Sequence, residues 1–485
     1  MATDTFSILF VASEVEGLIK SGGLADVAKA LPEALSKLDQ NIRIALPAYG
    51  QITGIKQCKV LLDTRLDTWP HTQYKVRQTE VAGVMAYAVE CPEYFDRQEM
   101  YAEQNQAYKD NGERFAFFSA ACLDMLPKLD FLPNIIHVND WHTGLIPYLL
   151  KHRYHSTPFY SSIKTILSVH NAVFKGQFPF EEVQCIPEFH TRFAPEAQVS
   201  GSHISMLKAG VMCADKVNAV SPRYAEELKT DLGSHGMGEE FLSRAEDLVG
   251  ILNGCDYSAW DPRHDPIIPV NYHGDLKSML QGKKACKRAL QQRVNLPEKD
   301  VAVYGMVCRL THQKGVHYFM PVLKEFLRNN LQLVVVGTGD PVFAYQLEHI
   351  AEEFSDNFVF VNAYDNELAH LVEAGADFFI MPSEFEPCGL NQMYSMAYGT
   401  LPIVRSVGGL KDSVTDYDED NTKATGFVFH KPEPEALLAK LQRTFLLYLQ
   451  SPQEIQRTQC FAMQQDFCWN NAANEYLKLY QSTQN

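Results

Sequence analysis

Two short segments of the sequence place positive charge and glycine where a phosphate group would need them. Lys20-Ser21-Gly22-Gly23 precedes a helical pattern, and Arg309 and Lys314 follow a strongly apolar stretch. Paired glycines let backbone N–H groups approach a phosphate closely, and a helix N-terminus adds positive potential. Arginine offers a planar fork and lysine a point charge, so together they suit a departing diphosphate. A simple turn and two surface cations are the alternative interpretation of these segments.

Other polar segments follow apolar stretches in the same way. They are Asn139-Asp140-Trp141-His142, His170-Asn171, Gly337-Thr338-Gly339-Asp340 and Ser383–Leu390. A carboxylate such as Glu386 at a strand-to-helix junction suits the binding of sugar hydroxyls, although a helix cap is an equally good interpretation. The Gly337–Asp340 segment lacks the third glycine of a dinucleotide fingerprint, so it indicates a tight turn rather than an NAD site.

Two groups of residues resemble metal ligands, and neither predicts a metal site. His137 and His142 flank Asn139-Asp140, but we expect one on a strand and the other beyond a turn. The run Asp416-Tyr417-Asp418-Glu419-Asp420 lies in a polar stretch, which favours a solvated acidic segment. We therefore expect cationic side chains, and no metal or cofactor, to balance a diphosphate.

Short apolar stretches alternate with helical segments along the chain, which predicts parallel sheets covered by helices on both faces. Helical spacing is clearest in Ala25–Leu38, Ala116–Leu126 and Pro434–Leu447. Ligands of such sheets bind beyond the carboxyl ends of the strands, where the polar segments fall. The predicted strands are Phe6–Ala12, Arg43–Pro47, Ile135–Val138, Thr165–Val169, Val217–Val220, Leu248–Leu252, Val301–Val307, Gln332–Val336, Phe358–Val361, Phe378–Met381 and Leu401–Val404.

The strand pattern is interrupted once, near Leu252-Asn253-Gly254, before a proline-rich stretch. We therefore predict an α/β protein of two doubly wound, Rossmann-like domains that face a cleft between them. The boundaries are residues 1–252, residues 253–465, and a C-terminal segment 466–485 that packs back toward the first domain.

Composition excludes several classes of protein. The chain has 485 residues and a formal net charge of −16, which disfavours binding to nucleic acid or to an anionic membrane surface. No apolar run approaches the length of a membrane helix, and the N-terminus lacks the basic region of a signal peptide. Eleven cysteines without a Cys-x-x-Cys pair indicate reduced thiols, so we expect a cytoplasmic protein.

Taken in order, eleven segments resemble the bacterial glycogen synthase and plant starch synthase family over nearly the whole chain. They are Lys20–Val27, Tyr108–Phe115, Asn139–His142, Ser168–Asn171, Leu207–Gly210, Ala219–Pro222, Leu252–Gly254, Arg309–Gly315, Phe385–Leu390, Tyr398–Pro402 and Gly408–Leu410. The resemblance implies a GT-B fold and a retaining, metal-independent glucosyltransferase. Such an enzyme transfers glucose from ADP-glucose to the non-reducing end of an α-1,4-glucan such as glycogen.

The resemblance also assigns roles to residues at matching positions. Arg309 and Lys314 would stabilise the donor's phosphates, Glu386 would hold the glucosyl hydroxyls, and Asp140 and His170 would lie on the reacting face. Asn253 would lie near the hinge and Tyr364 against the nucleobase. The residues expected to bind the donor are Lys20, Gly22, Gly23, Asn171, Asn253, Gly339, Tyr364, Cys388, Gly389 and Leu390.

Two segments depart from the wider GT-B pattern. Many related enzymes carry a second glutamate eight residues after the first, where this chain has Tyr394, with Gln392 nearby. The base-contacting segment around Tyr364 matches less closely than the phosphate site. A UDP-glucose-dependent glucosyltransferase and an inactive glucan-binding scaffold stay as alternatives, and nothing in the sequence indicates an oligomeric state.

Overall fold

The computed structural model describes residues 5–67, 69, 72–104, 106–189 and 194–484, which form two compact units. Unit 1 comprises Met1–Ile251 with Trp469–Asn485, and unit 2 comprises Leu252–Cys468. Each unit contains a largely parallel sheet flanked by helices, so the predicted α/β class with two doubly wound domains is confirmed.

Unit 1 is built on a nine-stranded sheet of order β14-β13-β9-β8-β1-β2-β5-β4-β3. The strands from β14 to β5 pair in parallel, whereas β3, β4 and β5 pair antiparallel. Two small sheets, β6-β7 and β10-β12-β11, complete the unit. The strands are β1 (Ser7–Val11), β2 (Asn41–Pro47), β3 (Val60–Arg65), β4 (Gln73–Val81), β5 (Val84–Glu90), β6 (Ala102–Glu103), β7 (Gln106–Ala107), β8 (Ile135–Asn139), β9 (Lys164–Val169), β10 (Gln177–Pro179), β11 (Gln198–Ser200), β12 (His203–Ser205), β13 (Lys216–Ala219) and β14 (Leu248–Gly250).

The helices of unit 1 bury apolar faces against these sheets. In α1, eight residues are buried, including Leu24, Val27 and Leu31, and this spacing of three to four residues places them on one side. The first eight helices are α1 (Gly23–Lys37), α2 (Pro92–Phe95), α3 (Asn111–Lys128), α4 (Asp140–Thr143), α5 (Leu145–His152), α6 (Met206–Cys213), α7 (Pro222–Leu228) and α8 (Gly238–Ser243).

Unit 2 contains a six-stranded sheet, parallel throughout, of order β17-β16-β15-β18-β19-β20. All six residues of β16 are buried, as expected for a strand covered on both faces. The strands are β15 (Ala302–Val307), β16 (Leu331–Val336), β17 (Phe358–Val361), β18 (Phe378–Met381), β19 (Leu401–Arg405) and β20 (Phe427–Phe429). The helices are α9 (Leu276–Arg293), α10 (Val316–Leu327), α11 (Pro341–Glu353), α12 (Asn366–Gly375), α13 (Asn391–Ala397), α14 (Gly408–Ser413), α15 (Pro434–Gln450) and α16 (Pro452–Ala462).

The last helix, α17 (Trp469–Ser482), belongs to unit 1 although it follows unit 2 in the sequence. Two of its tyrosines are fully buried there. The hydroxyl of Tyr480 lies 2.8 Å from Nδ1 of His137, and the hydroxyl of Tyr476 accepts a hydrogen bond from Asn218 at 2.9 Å. These bonds satisfy polar groups on the buried strands β8 and β13, so His137 is a structural residue.

Candidate active site

The sheet of unit 2 reverses its order between β15 and β18, and the loops that follow these strands carry the predicted phosphate and sugar residues. Ligands of doubly wound sheets bind at such a reversal because the two loops diverge there. Nζ of Lys314, after β15, donates to Oε2 of Glu386, after β18, at 2.6 Å. Ser383 Oγ donates to the same oxygen at 3.0 Å. The structure therefore brings two of the predicted catalytic residues into direct contact.

Glu386 is 6% exposed, and its loop is fixed through its backbone. The guanidinium of Arg405 donates to the carbonyls of Ser383 and Glu384, and Gly409 N donates to the carbonyl of Glu386. A Cβ at Gly408 would lie 2.0 Å from that carbonyl, so the close approach requires glycine. The rigid loop presents the Glu386 carboxylate with one oxygen already bonded, which leaves the other available to sugar hydroxyls.

Arg309 differs from Lys314 in its surroundings. It is exposed near the start of the loop after β15. Among the residues that the structure describes, no carboxylate forms an ion pair with it, whereas Lys314 is paired with Glu386. An unpaired guanidinium beside a paired lysine provides a net positive charge for an anion at this edge of the sheet.

The glycines of unit 2 that we predicted to bind the donor are explained by packing. Gly339 pairs with Leu310, and a Cβ there would lie 2.4 Å from the Leu310 carbonyl. Gly389 has a φ of +72°, and its Cβ would lie 2.6 Å from Oε1 of Gln392. Both positions therefore need glycine for the fold itself, and a role in donor binding stays a prediction.

Tyr394, which stands where related enzymes carry a second glutamate, and the nearby Gln392 both have structural partners. Nε2 of Gln392 donates to the carbonyl of Gly389 at 3.0 Å and to Ser413 Oγ at 3.0 Å. Tyr394 stacks on Trp260 with ring centroids 4.9 Å apart. The amide thus holds the loop that carries Cys388 and Gly389.

Three further residues of unit 2 were predicted to contact the donor. Asn253 is buried at 6% exposure, and its backbone N–H faces the sulfur of Cys388. Burial raises the pKa of the Cys388 thiol to about 12, so the sulfur stays protonated at neutral pH. Tyr364 is 89% exposed on the loop after β17, and Leu390 precedes α13 as its N-cap residue. An exposed ring is free to stack on a base, but the contact of Tyr364 with a nucleobase stays a prediction.

The sheet of unit 1 reverses between β1 and β8, and the Lys20–Gly23 loop follows β1. Lys20 Nζ lies 2.7 Å from Asp26 and 3.0 Å from Glu16, so its charge is already offset by two carboxylates. Gly22 has an extended φ of −154°, and a Cβ at Gly22 or Gly23 would meet no atom closer than 3.7 Å. The fold itself does not require glycine at either position, which favours close approach of a ligand over the simple-turn interpretation.

Asp140 and His170 lie together at the carboxyl ends of β8 and β9. Asp140 Oδ1 accepts from the backbone N–H of His170 at 2.7 Å and of Asn171 at 3.4 Å. Burial raises the pKa of Asp140 to about 7 and lowers that of His170 to about 3. The imidazole is therefore neutral and donates through Nε2 to Asn139 Oδ1 at 2.9 Å. Asn171 Oδ1 accepts from Val173 N at 3.1 Å, so its side chain caps the following turn.

Sequence reasoning missed Glu14, which is 3% exposed beside the Lys20–Gly23 loop. Its carboxylate accepts from Ser21 N at 2.5 Å and from Ser21 Oγ at 2.7 Å. The preceding residue, Ser13, is also buried and accepts a hydrogen bond from Tyr101 at 2.8 Å. The position of Ser13-Glu14 directly after β1 was the available signal, because polar residues at a strand's carboxyl end are typical of ligand sites.

The prediction of a solvated acidic run at Asp416–Asp420 was wrong for its first residue. Asp416 is 3% exposed, accepts from Val428 N at 2.9 Å, and pairs with Lys440 at 3.3 Å. Within the described residues, Asp416, Glu419 and His430 are the one group whose ligand atoms lie close enough to share a metal ion. Lys440 Nζ lies 3.3 Å from Asp416 and 2.8 Å from Asp418, so a metal ion at Asp416 would lie close to the positive charge of the lysine.

Two family models match the chain. The starch synthase catalytic domain matches residues 7–243, and group 1 glycosyl transferases match residues 287–457. The glycogen synthase of Vibrio parahaemolyticus serotype O3:K6 is 67% identical over 485 residues, the full length of both chains. The glycogen synthase of Vibrio cholerae serotype O1 is 57% identical over 477 residues, 98% of this chain and 99% of that protein.

Solved structures agree with these matches. The catalytic domain of Starch Synthase IV from Arabidopsis thaliana, bound to ADP and acarbose, has a TM-score of 0.89 and 30% identity, covering 99% of each chain. Sucrose-phosphate synthase from Thermosynechococcus elongatus shares the fold at a TM-score of 0.58 and 18% identity, covering 98% of each chain. In the part of the chain that the structure describes, no helix is both long and apolar enough to cross a membrane. The chain belongs to the glycogen synthase and starch synthase family of glycosyltransferases with the GT-B fold.

Proposed function

We propose that the protein transfers glucose from ADP-glucose to the non-reducing end of an α-1,4-glucan, with retention of the anomeric configuration. The observation that carries this proposal is the pair of Lys314 and Glu386 at the strand reversal of unit 2, on the same loop as Arg309, which has no carboxylate partner among the described residues. A phosphate group requires cations and a glucosyl ring requires hydrogen-bond acceptors, and this site offers both. Full-length similarity to glycogen synthases supports the glucan acceptor. The ADP in the Arabidopsis structure supports the adenine nucleotide.

The proposed chemistry depends on charge stabilisation more than on acid–base catalysis. As the bond between glucose and diphosphate breaks, negative charge grows on the leaving group. Arg309 and Lys314 would stabilise it, and Glu386 would hold the sugar. Asp140, when ionised, would stabilise the positive charge that develops on the sugar ring. The acceptor hydroxyl would attack from the face that the diphosphate leaves and pass its proton to a departing phosphate oxygen. This order of events preserves the configuration without a covalent intermediate.

Neither a metal ion nor a cofactor enters the proposed reaction, because protein cations are assigned to the diphosphate. All eleven cysteines are free thiols, which supports a reducing compartment such as the cytoplasm.

The test is to supply the purified protein with glycogen and with radiolabelled ADP-glucose or UDP-glucose in parallel. We expect label in the polymer from ADP-glucose at a much higher kcat/KM than from UDP-glucose. The reverse preference would replace the proposed donor. Glycogen binding without transfer from either donor would identify an inactive glucan-binding scaffold. Digestion of the labelled polymer with an enzyme specific for α-1,4 linkages then checks the configuration of the product.

A further inference from the structure

Glu14 is a buried carboxylate whose hydrogen-bond partners all belong to the candidate donor loop. Besides the two bonds from Ser21, the backbone N–H of Gly22 faces the same carboxylate. Burial raises the pKa of Glu14, and the hydrogen bonds from Ser21 and Gly22 oppose part of that rise. Three donors thus converge on one side chain that is 3% exposed. The bonds span the loop between β1 and α1, joining the residue that follows the strand to the residues that begin the helix.

No cation neutralises Glu14 in the described part of the chain. Lys20, on the same loop, is paired with Glu16 and Asp26 instead. A carboxylate removed from water without a counter-ion depends on the N–H and O–H groups that face it. The loop donors and Glu14 therefore hold one another in place, and the backbone of Ser21 and Gly22 has one favoured orientation.

This arrangement divides the loop into two parts. The N–H groups of Ser21 and Gly22 are directed at Glu14, whereas Gly23 is exposed, with no described atom within 4 Å of a Cβ placed there. Lys20 is 44% exposed on the other side of Ser21. We propose that Glu14 is a positioning residue, which fixes Ser21 and Gly22 so that Lys20 and Gly23 present their donors to the phosphates of the nucleotide sugar. The proposal rests on the proposed function, since it concerns the binding of that donor.

The first experiment measures the loop without substrate. Amide hydrogen exchange is followed by mass spectrometry in the full-length protein and in Glu14→Ala, Glu14→Gln and Ser21→Ala. We expect faster exchange in the peptide covering residues 15–23, in the order Glu14→Ala, Glu14→Gln, Ser21→Ala. The side-chain amide of Glu14→Gln has a single acceptor oxygen, and its NH2 group faces a loop donor that it cannot accept from. Ser21→Ala, by contrast, removes only the hydrogen bond of the Ser21 hydroxyl. Glu33→Ala on α1 is the matched control, because among the described residues Glu33 pairs only with the exposed Lys37. Unchanged exchange in Glu14→Ala would overturn the proposal.

The second experiment separates positioning from catalysis and from general stability. ADP affinity is measured by calorimetry, and the KM for ADP-glucose and for glycogen is measured in each variant. We expect Glu14→Ala to raise the Kd for ADP and the donor KM by about tenfold or more, with the glycogen KM changed less than about twofold. A fall in kcat at unchanged donor KM would assign Glu14 to the chemical step. If the KM values for ADP-glucose and for glycogen rise equally and Tm falls, Glu14 would be a structural residue and not a positioning one.

The two experiments also keep this proposal distinct from the proposed function. Hydrogen exchange and ADP binding need no transfer reaction. If the wild-type protein transfers glucose from neither donor, the proposed function fails while the effect of Glu14 on the loop is still measured. If transfer proceeds normally in Glu14→Ala with wild-type ADP affinity, the positioning role alone is refuted.

Discussion

Replacing Asp140 by asparagine should make the protein more stable at neutral pH and slower in catalysis. Asparagine has the same shape, so its Oδ1 can still accept from His170 N, a bond of 2.7 Å in the wild type. The φ of Asp140 is +55°, in the left-handed region that asparagine adopts as readily as aspartate. The substitution therefore removes the ionisation of the side chain and leaves its geometry in place.

The size of the stability effect follows from the pKa of Asp140. Burial, with a smaller contribution from the Glu14 charge, raises it from 3.8 to about 7. The folded state then keeps a proton that the unfolded chain loses, so stability falls as pH rises from about 4 to 7 and stays low above that. With about 1.4 kcal/mol for each pKa unit, the loss of stability is about 4 kcal/mol at pH 8 and about 1–2 kcal/mol at pH 5. Asp140→Asn should recover most of this difference.

The prediction is tested by urea unfolding at pH 5 and pH 8, monitored by amide exchange in β8. Because β8 belongs to unit 1, this signal reports on the unfolding of unit 1. The stability gain of Asp140→Asn should be about 2–3 kcal/mol larger at pH 8 than at pH 5. We also expect kcat to fall by about 10²–10³. In the wild type, kcat should rise through pH 7 as Asp140 ionises, and the variant should lack this limb. Equal gains at both pH values, or an unchanged pH profile, would refute the reasoning.

Three further predictions concern unit 2. Lys314→Ala should lower kcat by about 10²–10³ under saturating donor, whereas the exposed Lys284→Ala should leave it unchanged; wild-type turnover in Lys314→Ala would remove its assigned role. Lys283 is fully buried and donates to two carbonyls and to Thr400 Oγ1, so Lys283→Met should reduce the free energy of unfolding of unit 2 by about 3 kcal/mol or more in urea titrations. Cys388 should react slowly with iodoacetamide at pH 8 because its pKa is about 12, and rapid labelling of its peptide in mass spectra would contradict this.

Most of the parallel strands were predictable because each is a short apolar run bounded by turn residues, although β20 was not predicted. Each of the eleven predicted stretches overlaps a strand of the structure. The antiparallel strands β3, β4 and β5 were not predicted. All six residues of β3 are partly or fully exposed, as in an edge strand, and β4 carries charged residues on its solvent side. Such strands form because they add to an existing sheet, and their composition alone does not reveal this.

The sequence located the candidate site better than it described the pairings within it. A short apolar stretch followed by polar residues predicts a loop at the carboxyl end of a strand. The positions of the Lys20 loop and of Arg309 were predicted from this local pattern. Which charges meet depends on contacts between distant segments. Lys314 and Glu386 are 72 residues apart in sequence, and Asp416 pairs with Lys440, 24 residues later. The buried Asp416 was assigned to solvent because no local signal identifies a partner that the fold supplies.

The pairings change how an anionic donor would bind. Two of the predicted phosphate ligands, Lys20 and Lys314, already have internal carboxylate partners, whereas Arg309 has none in the described chain. A phosphate that binds either lysine must share the ammonium group with a carboxylate. The contact therefore contributes less binding free energy than a contact with an unpaired lysine would, because the lysine–carboxylate interaction is weakened at the same time. The same carboxylates hold the lysines in defined positions before the donor arrives, which lowers the entropy lost on binding. In a chain of net charge −16, preorganised and locally balanced cations restrict anion binding to the sites where the fold has placed them.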